Sequence, residues 1–174
     1  MLIRKATADD ISAIEKIYLD THSAEERGET TTCWIRGVYP TRKTAEDALL
    51  RDDLFVMEDN GRIVGTAVIN QIQMDVYPLG NWQFDVPEDK ITVLHTLIIS
   101  PSEKGKGYGR NFVSFYENYA KETGCPFLRM DTNEKNIKAR ELYKKLGYAE
   151  IGIVPCVFHG IENVMMVLLE KYAD

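Results

Sequence analysis

The sequence predicts a mixed α/β (α+β) fold: a central, mostly antiparallel twisted sheet flanked by helices, with one parallel strand pair bridged by a helix. Three observations carry this. Short β-branched runs alternate with runs of helical spacing, and Asn60-Gly61 between two apolar runs is a favoured two-residue hairpin turn. An apolar strand then feeds a glycine-rich turn and a helix before the next strand, which is the order of a parallel crossover.

The elements follow in order. "LIRKA" reads as a short strand. "TADDISAIEKIYLDTH" reads as the first helix, with Thr7 as N-cap, acids in the first turn, and Ile11, Ile14, Ile17 and Tyr18 at helical spacing. Residues 23–53 are polar and irregular, with helix expected in "TAEDALLR". "LFVMEDNGRIVGTAVI" is the hairpin, and "KITVLHTLIIS" a buried strand rich in β-branched residues. "GRNFVSFYENYAKETG" reads as a helix closed by Gly124, "PFLRMDT" as a short strand, and "KNIKARELYKKLG" as a helix capped by Gly147 with Lys144 and Lys145 in its last turn. "YAEIGIV" and "NVMMVLLEKY" finish as strands, and "PCVFHGIE" between them is expected to be a loop.

The chain has 174 residues, 44% hydrophobic and 28% charged, with no internal repeat, so a single soluble domain over 1–174 is expected. No apolar run is long enough to span a bilayer and the first residues lack a signal-peptide pattern, which makes the cytoplasm the expected location. A net charge of −6 argues against broad nucleic-acid binding. Cys33, Cys125 and Cys156 are too few and too scattered for a disulfide framework or zinc knuckle, so no metal is expected. Each reads better as a small buried hydrophobe than as a nucleophile.

The stretch "SPSEKGKGYGRNF" raises the functional question. Glycines between a strand and a helix expose backbone N–H groups at the positive helix end, an arrangement suited to phosphate, and Lys104 and Arg110 add positive charge. The Walker loop requires Ser or Thr where Asn111 stands, and the dinucleotide fingerprint requires glycine where Arg110 stands. By itself the stretch is equally a flexible basic turn without a ligand.

Its surroundings decide. "LIISPSEKGKGYGRNFV" resembles the acyl-CoA signature of the GNAT superfamily of N-acetyltransferases: Leu97, Ile99 and Pro101 match the strand end, and Lys104 to Gly109 match the Gln/Arg-x-x-Gly-x-Gly/Ala turn, with lysine at its first position. "NEKNIKARELYKKLGY" resembles the second signature at Asn136, Ala139, Tyr143, Gly147 and Tyr148. Two motifs in this order, separated by one helix and one strand, are far more specific than either alone.

The resemblance implies a GNAT fold in which the parallel strands splay around the pantetheine arm of acetyl-CoA. The backbone of Leu97, Ile98 and Ile99 would follow that arm, with an N–H near Ile99 polarising the thioester carbonyl. Lys104 and the amides of Gly105, Lys106, Gly107, Tyr108, Gly109 and Arg110 would surround the pyrophosphate. Asn136, in the motif with Ala139, would hydrogen-bond the pantetheine, although locally it is as good a polar helix start. Tyr143 would give a proton to the departing thiolate. His95 is the candidate general base, since imidazole titrates near neutrality and strand alternation sets it with Leu97 and Ile99. Against this, a lone histidine in an apolar strand is more often a satisfied core residue, and Asp131 and Glu29 are rivals.

The same resemblance builds the acceptor pocket from about residues 22–39 and 155–162. "MDVYPLGNWQFDVPED" adds to it, with Trp34, Tyr77, Trp82, Phe84 and Phe158 as apolar lining and Glu25, Glu26, Asp75 and Asp85 as acids. The expected reaction is acetyl transfer from acetyl-CoA to a primary amine of a small molecule. A protein N-terminus or lysine as acceptor, and a CoA-binding sensor without turnover, are the alternatives. Neither nucleic acid nor membrane is an expected partner, and a homodimer is left open.

Overall fold

The computed structural model describes residues 1–174. Its strands β1 (Leu2–Lys5), β2 (Leu54–Asp59), β3 (Arg62–Asn70), β4 (Ile91–Ile99), β5 (Phe127–Asn133), β6 (Ala149–Phe158) and β7 (Ile161–Tyr172) form one seven-stranded sheet in the order β1-β2-β3-β4-β5-β7-β6, and its residues divide into two compact units.

The first unit comprises Met1–Thr30, Trp34–Ile69 and His95–Phe115. Strand β1 (Leu2–Lys5) runs antiparallel to β2 (Leu54–Asp59), which turns back through Asn60 and Gly61, φ 49° and 71°, into β3 (Arg62–Asn70). Both turn residues are left-handed, as the hairpin signal requires. A short 3₁₀ turn at Ala8–Asp10 precedes helix α1 (Ile11–Glu26), and α2 is Arg42–Leu50. The Asp10 carboxylate accepts the Thr7 backbone N–H at 2.8 Å and is gripped by Arg4 at 2.7 and 3.0 Å, which fixes the entry into α1. Ile11, Ile14, Ile17 and Tyr18 bury the inner face of α1 against Ala45, Ala48, Leu54, Val56 and Val68. Each such aliphatic side chain contributes about 1.5–3 kcal/mol by leaving water.

The second unit comprises Thr31–Cys33, Asn70–Leu94 and Tyr116–Asp174. Its strands are the first half of β4 (Ile91–Ile99), β5 (Phe127–Asn133), β6 (Ala149–Phe158) and β7 (Ile161–Tyr172), and its helix α4 is Ile137–Lys145. Helix α3 (Tyr108–Glu122) connects β4 to β5, which pair in parallel as the sequence predicts. Within this unit the Tyr116 hydroxyl lies 2.6 Å from the Thr92 carbonyl and 3.0 Å from that of Arg129, one on each strand of the pair. The parallel register runs from Ile91↔Phe127 to Leu94↔Met130 and stops there, although β4 continues to Ile99 and β5 to Asn133.

Two expectations are corrected. Residues 155–162 are not a loop: β6 and β7 run up to a tight turn at His159 and Gly160, φ 48° and 81°. Pro155 signals an interruption in sequence, but β6 is the edge of the sheet, where a missing N–H is tolerated. The strict alternation expected along β4 is also broken, because Thr96 is left-handed at φ 50°. The period-2 pattern therefore carries only as far as His95.

Candidate active site

In the first unit, β4 ends in a 3₁₀ turn at Pro101–Glu103, followed by the glycine loop and the start of α3. Gly105 and Gly107 have φ of 83° and 81°, and a Cβ on either would meet nothing within 4 Å. Glycine is needed here for backbone sign rather than for close packing, and the loop stands open beside it. The first N–H groups of α3 have no acceptor inside the helix, so the loop and helix start supply anion donors.

The three cations of the stretch do different things. Lys106 pairs at 2.6 Å with Glu103, a buried carboxylate that also has Arg62 at 3.6 Å. Lys104 donates to the backbone carbonyl of Glu29 at 3.2 Å, so the first motif position ties the loop to the residues after α1. Arg110 is exposed on the first turn of α3. Tyr108 donates to Asp59 at 2.8 Å, anchoring the helix start to the β2–β3 hairpin.

His95 is the first residue of β4 beyond its last rung and is half-buried. The hydroxyls of Tyr39 and its neighbour Thr96 share a short hydrogen bond, which holds the left-handed kink in place. Leu97 and Ile99 are half-buried and Ile98 is buried among the α1 and α2 side chains. Glu29, a rival base, is exposed and doubly bonded to Arg27 at 2.7 and 2.9 Å, which holds its carboxyl below the usual range.

The second unit holds the other group of residues. Asn136 precedes α4 and donates to Thr132 at 3.2 Å rather than capping the helix, which leaves its amide carbonyl as an acceptor. Ala139, one turn on, is half-buried. Tyr143 is buried, in edge contact with Tyr148 at 6.0 Å between ring centres. Burial first, and the charge of Asp131 second, push its phenol well above the usual value, so it carries its proton at neutral pH.

Asp131, on β5, is half-buried, and Tyr77 donates to it at 2.8 Å. Burial pushes its carboxyl up to about 6, against the opposing effect of the Tyr77 hydrogen bond. Burial and the Asp131 charge also push the Cys156 thiol up, which keeps it a thiol and removes it as a nucleophile.

Of the aromatic residues expected in a pocket, Tyr77 is fully buried in the core with Val93, Ile151, Met166 and Leu168. Trp82 packs on the same cluster, its indole N–H 2.6 Å from the Tyr77 carbonyl and its ring 3.9 Å from the Arg129 guanidinium. Arg129 also reaches the Phe84 carbonyl at 3.4 Å, and the buried Glu170, opposite it across β5–β7, accepts the Gln83 N–H at 2.7 Å. Residues 71–90 are thus fastened to the sheet through their backbone. Asp75 and Asp85 are exposed, and Glu26 is taken up by Arg36 at 2.7 Å. Sequence reasoning missed the Tyr77–Asp131 pair, whose members lie 54 residues apart with no shared motif.

A mixed sheet with one short parallel pair, a glycine turn into a helix start after its first strand, and a buried tyrosine on the helix after its second is the fold of the N-acyltransferases. The chain belongs to the acetyltransferase (GNAT) family, whose model matches residues 11–148. It is 24% identical over 153 residues, 87% of its length, to an uncharacterized N-acetyltransferase of Methanocaldococcus jannaschii, and spans 62% of that relative. A GNAT family acetyltransferase from Streptococcus agalactiae superposes with a TM-score of 0.83 at 25% identity, over 99% of this chain and 95% of that one. An acetyltransferase from Salmonella typhimurium, solved with its cofactor acetyl-CoA, superposes with a TM-score of 0.69 at 19% identity, over 100% and 94%. No helix is long and apolar enough to cross a membrane.

Proposed function

We propose that this protein transfers the acetyl group of acetyl-CoA to a primary amine of a small molecule, by direct attack in a ternary complex. The observation that carries this reading is Tyr143, a buried phenol held in its protonated form at the motif position that the family gives to the general acid. Acetyl-CoA supplies the activated acyl carbon, and the glycine loop with the first turn of α3 suits its pyrophosphate: open space, left-handed glycines, helix-start N–H groups and Arg110. The backbone of Leu97, Ile98 and Ile99 is assigned to the pantetheine arm, and the Asn136 carbonyl to one of its amide N–H groups.

Tyr143 protonates the departing sulfur, a role worth about 10²–10⁴ in rate. An ammonium acceptor must first lose a proton. His95 on β4 and Asp131 on β5 are the side chains of the parallel pair able to take it. A small acceptor is favoured over a protein because residues 71–90 are bound down on β5 and β7 within the second unit. Thiol release from acetyl-CoA is the test, measured with a panel of primary amines and with peptides bearing free N-termini or lysines. Turnover on small amines and not on peptides is expected; turnover on peptides alone would reassign the acceptor, and tight CoA binding without turnover would point to a sensor.

A further inference from the structure

Buried or nearly buried carboxylates in this protein come with cations. Asp10 has Arg4 at 2.7 Å, Asp53 has Arg51 at 2.8 Å, Glu103 has Lys106 at 2.6 Å, and Glu170 stands opposite Arg129 in the β5–β7 register. Asp131 has none. The groups that face it are two phenols and a thiol: Tyr77 from residues 71–90, Tyr143 from α4 and Cys156 from β6. Its partner on β7 is Leu168, and it is the first residue of β5 beyond the last β4 rung. A desolvated carboxylate without a counter-charge costs stability unless a ligand brings the charge. It is also half-buried rather than sealed, so a small cation has access.

We propose that Asp131 is the anchor for the ammonium group of the acceptor and takes its first proton. The assignment rests on the transferase reading and deepens it: the acceptor is a primary alkylammonium, bound by charge. Asp131 accepts one proton from the ammonium, and the free amine forms the C–N bond at the thioester carbon. As the C–S bond breaks, the sulfur takes the Tyr143 proton, and the second nitrogen proton returns to Tyr143. The products are the N-acetyl amine, CoA thiol and one proton on Asp131, which leaves to solvent.

Two measurements test this. Asp131→Asn, which keeps an oxygen for Tyr77, is expected to lower kcat/KM for an accepted amine about 100-fold or more. The affinity for acetyl-CoA stays within twofold, and the acid limb of the pH–rate profile near 6 disappears. Independently of turnover, the carboxyl ¹³C resonance of Asp131 is titrated in wild-type protein with propylammonium chloride, sodium chloride or 1-propanol present. Propylammonium alone is expected to lower the midpoint, by about one pH unit. An Asp131→Asn enzyme within threefold of wild type with its acid limb intact, or a midpoint indifferent to propylammonium, overturns the assignment. Wild-type protein that releases no thiol with any amine, yet shows the midpoint change, keeps the ammonium site and removes the transferase reading.

Discussion

The Tyr77 hydroxyl donates a 2.8 Å hydrogen bond to Oδ2 of Asp131, and this bond favours the ionised carboxylate where burial disfavours it. Tyr77→Phe deletes the favourable half of that balance. A hydrogen bond of about 1 kcal/mol corresponds to about 0.5–1 pH unit, so the acid limb of the pH–rate profile should move upward from 6 by that amount. An unmoved limb would disconnect Tyr77 from the titration.

The raised carboxyl of Asp131 has a cost that pH reveals. The folded protein holds this proton more tightly than the unfolded chain, so stability is lost as pH rises from about 4 through about 6. A midpoint moved from 3.8 to about 6 corresponds to no more than about 3 kcal/mol. Solvent at the half-buried group reduces this to about 1–2 kcal/mol. Asp131→Asn should therefore match wild type in urea at pH 4 and exceed it by that margin at pH 7.5. Equal differences at both pH values would count against the assignment.

Tyr143→Phe leaves the ring, its burial and its contact with Tyr148 in place and removes only the proton donor. We expect kcat to fall about 100-fold or more while acetyl-CoA affinity, read by calorimetry, changes less than twofold. A thiol-release rate like that of wild type would exclude Tyr143 as the acid.

Arg110 and Lys106 should separate in the loop. Arg110→Ala is expected to weaken acetyl-CoA binding about tenfold at low salt and less at high salt, with Tm near wild type, because an exposed cation acts through screened charge. Lys106→Met strips the closest cation from buried Glu103, so its main effect should be a lower Tm. The reverse pattern would show that Lys106, not Arg110, holds the anion.

Gly80 has an ordinary φ of −82°, so its requirement is purely steric. A Cβ there would lie 2.8 Å from both Ile151 Cδ1 and Leu168 Cδ1 and 3.0 Å from Trp82 Nε1. Gly80→Ala should destabilise by about 1–3 kcal/mol in denaturant unfolding. A neutral effect would mean that residues 77–82 sit more loosely on the sheet than their hydrogen bonds indicate.

The elements legible in sequence were those whose signal is local. The periodicity of α1, the Asn60-Gly61 turn and the two family motifs each act over a few residues, and the structure contains the elements they predict. The β6–β7 turn was hidden because Pro155 imitates a loop, and only its place on the sheet edge makes it acceptable in a strand. Alternation along β4 failed at Thr96 because the kink is stabilised by Tyr39, 57 residues away. Tyr77 reads locally as one aromatic among several, and its distinction comes from a carboxylate on a strand that sequence does not place beside it. The acceptor role proposed for Asp131 rests on such a long-range pairing, whereas the two family motifs are contiguous.

The fastening of residues 71–90 separates attachment from display. The Gln83 N–H, the Phe84 carbonyl and the Tyr77 hydroxyl make the attachments, and the rings of Tyr77, Trp82 and Phe84 pack against the sheet. Asp75, Leu79, Asn81 and Asp85 point to solvent. A segment held by its main chain, by the Tyr77 hydroxyl and by three aromatic rings can exchange those four side chains without unfolding, so drift or directed evolution at 75, 79, 81 and 85 can retune what approaches this unit while the scaffold stays constant.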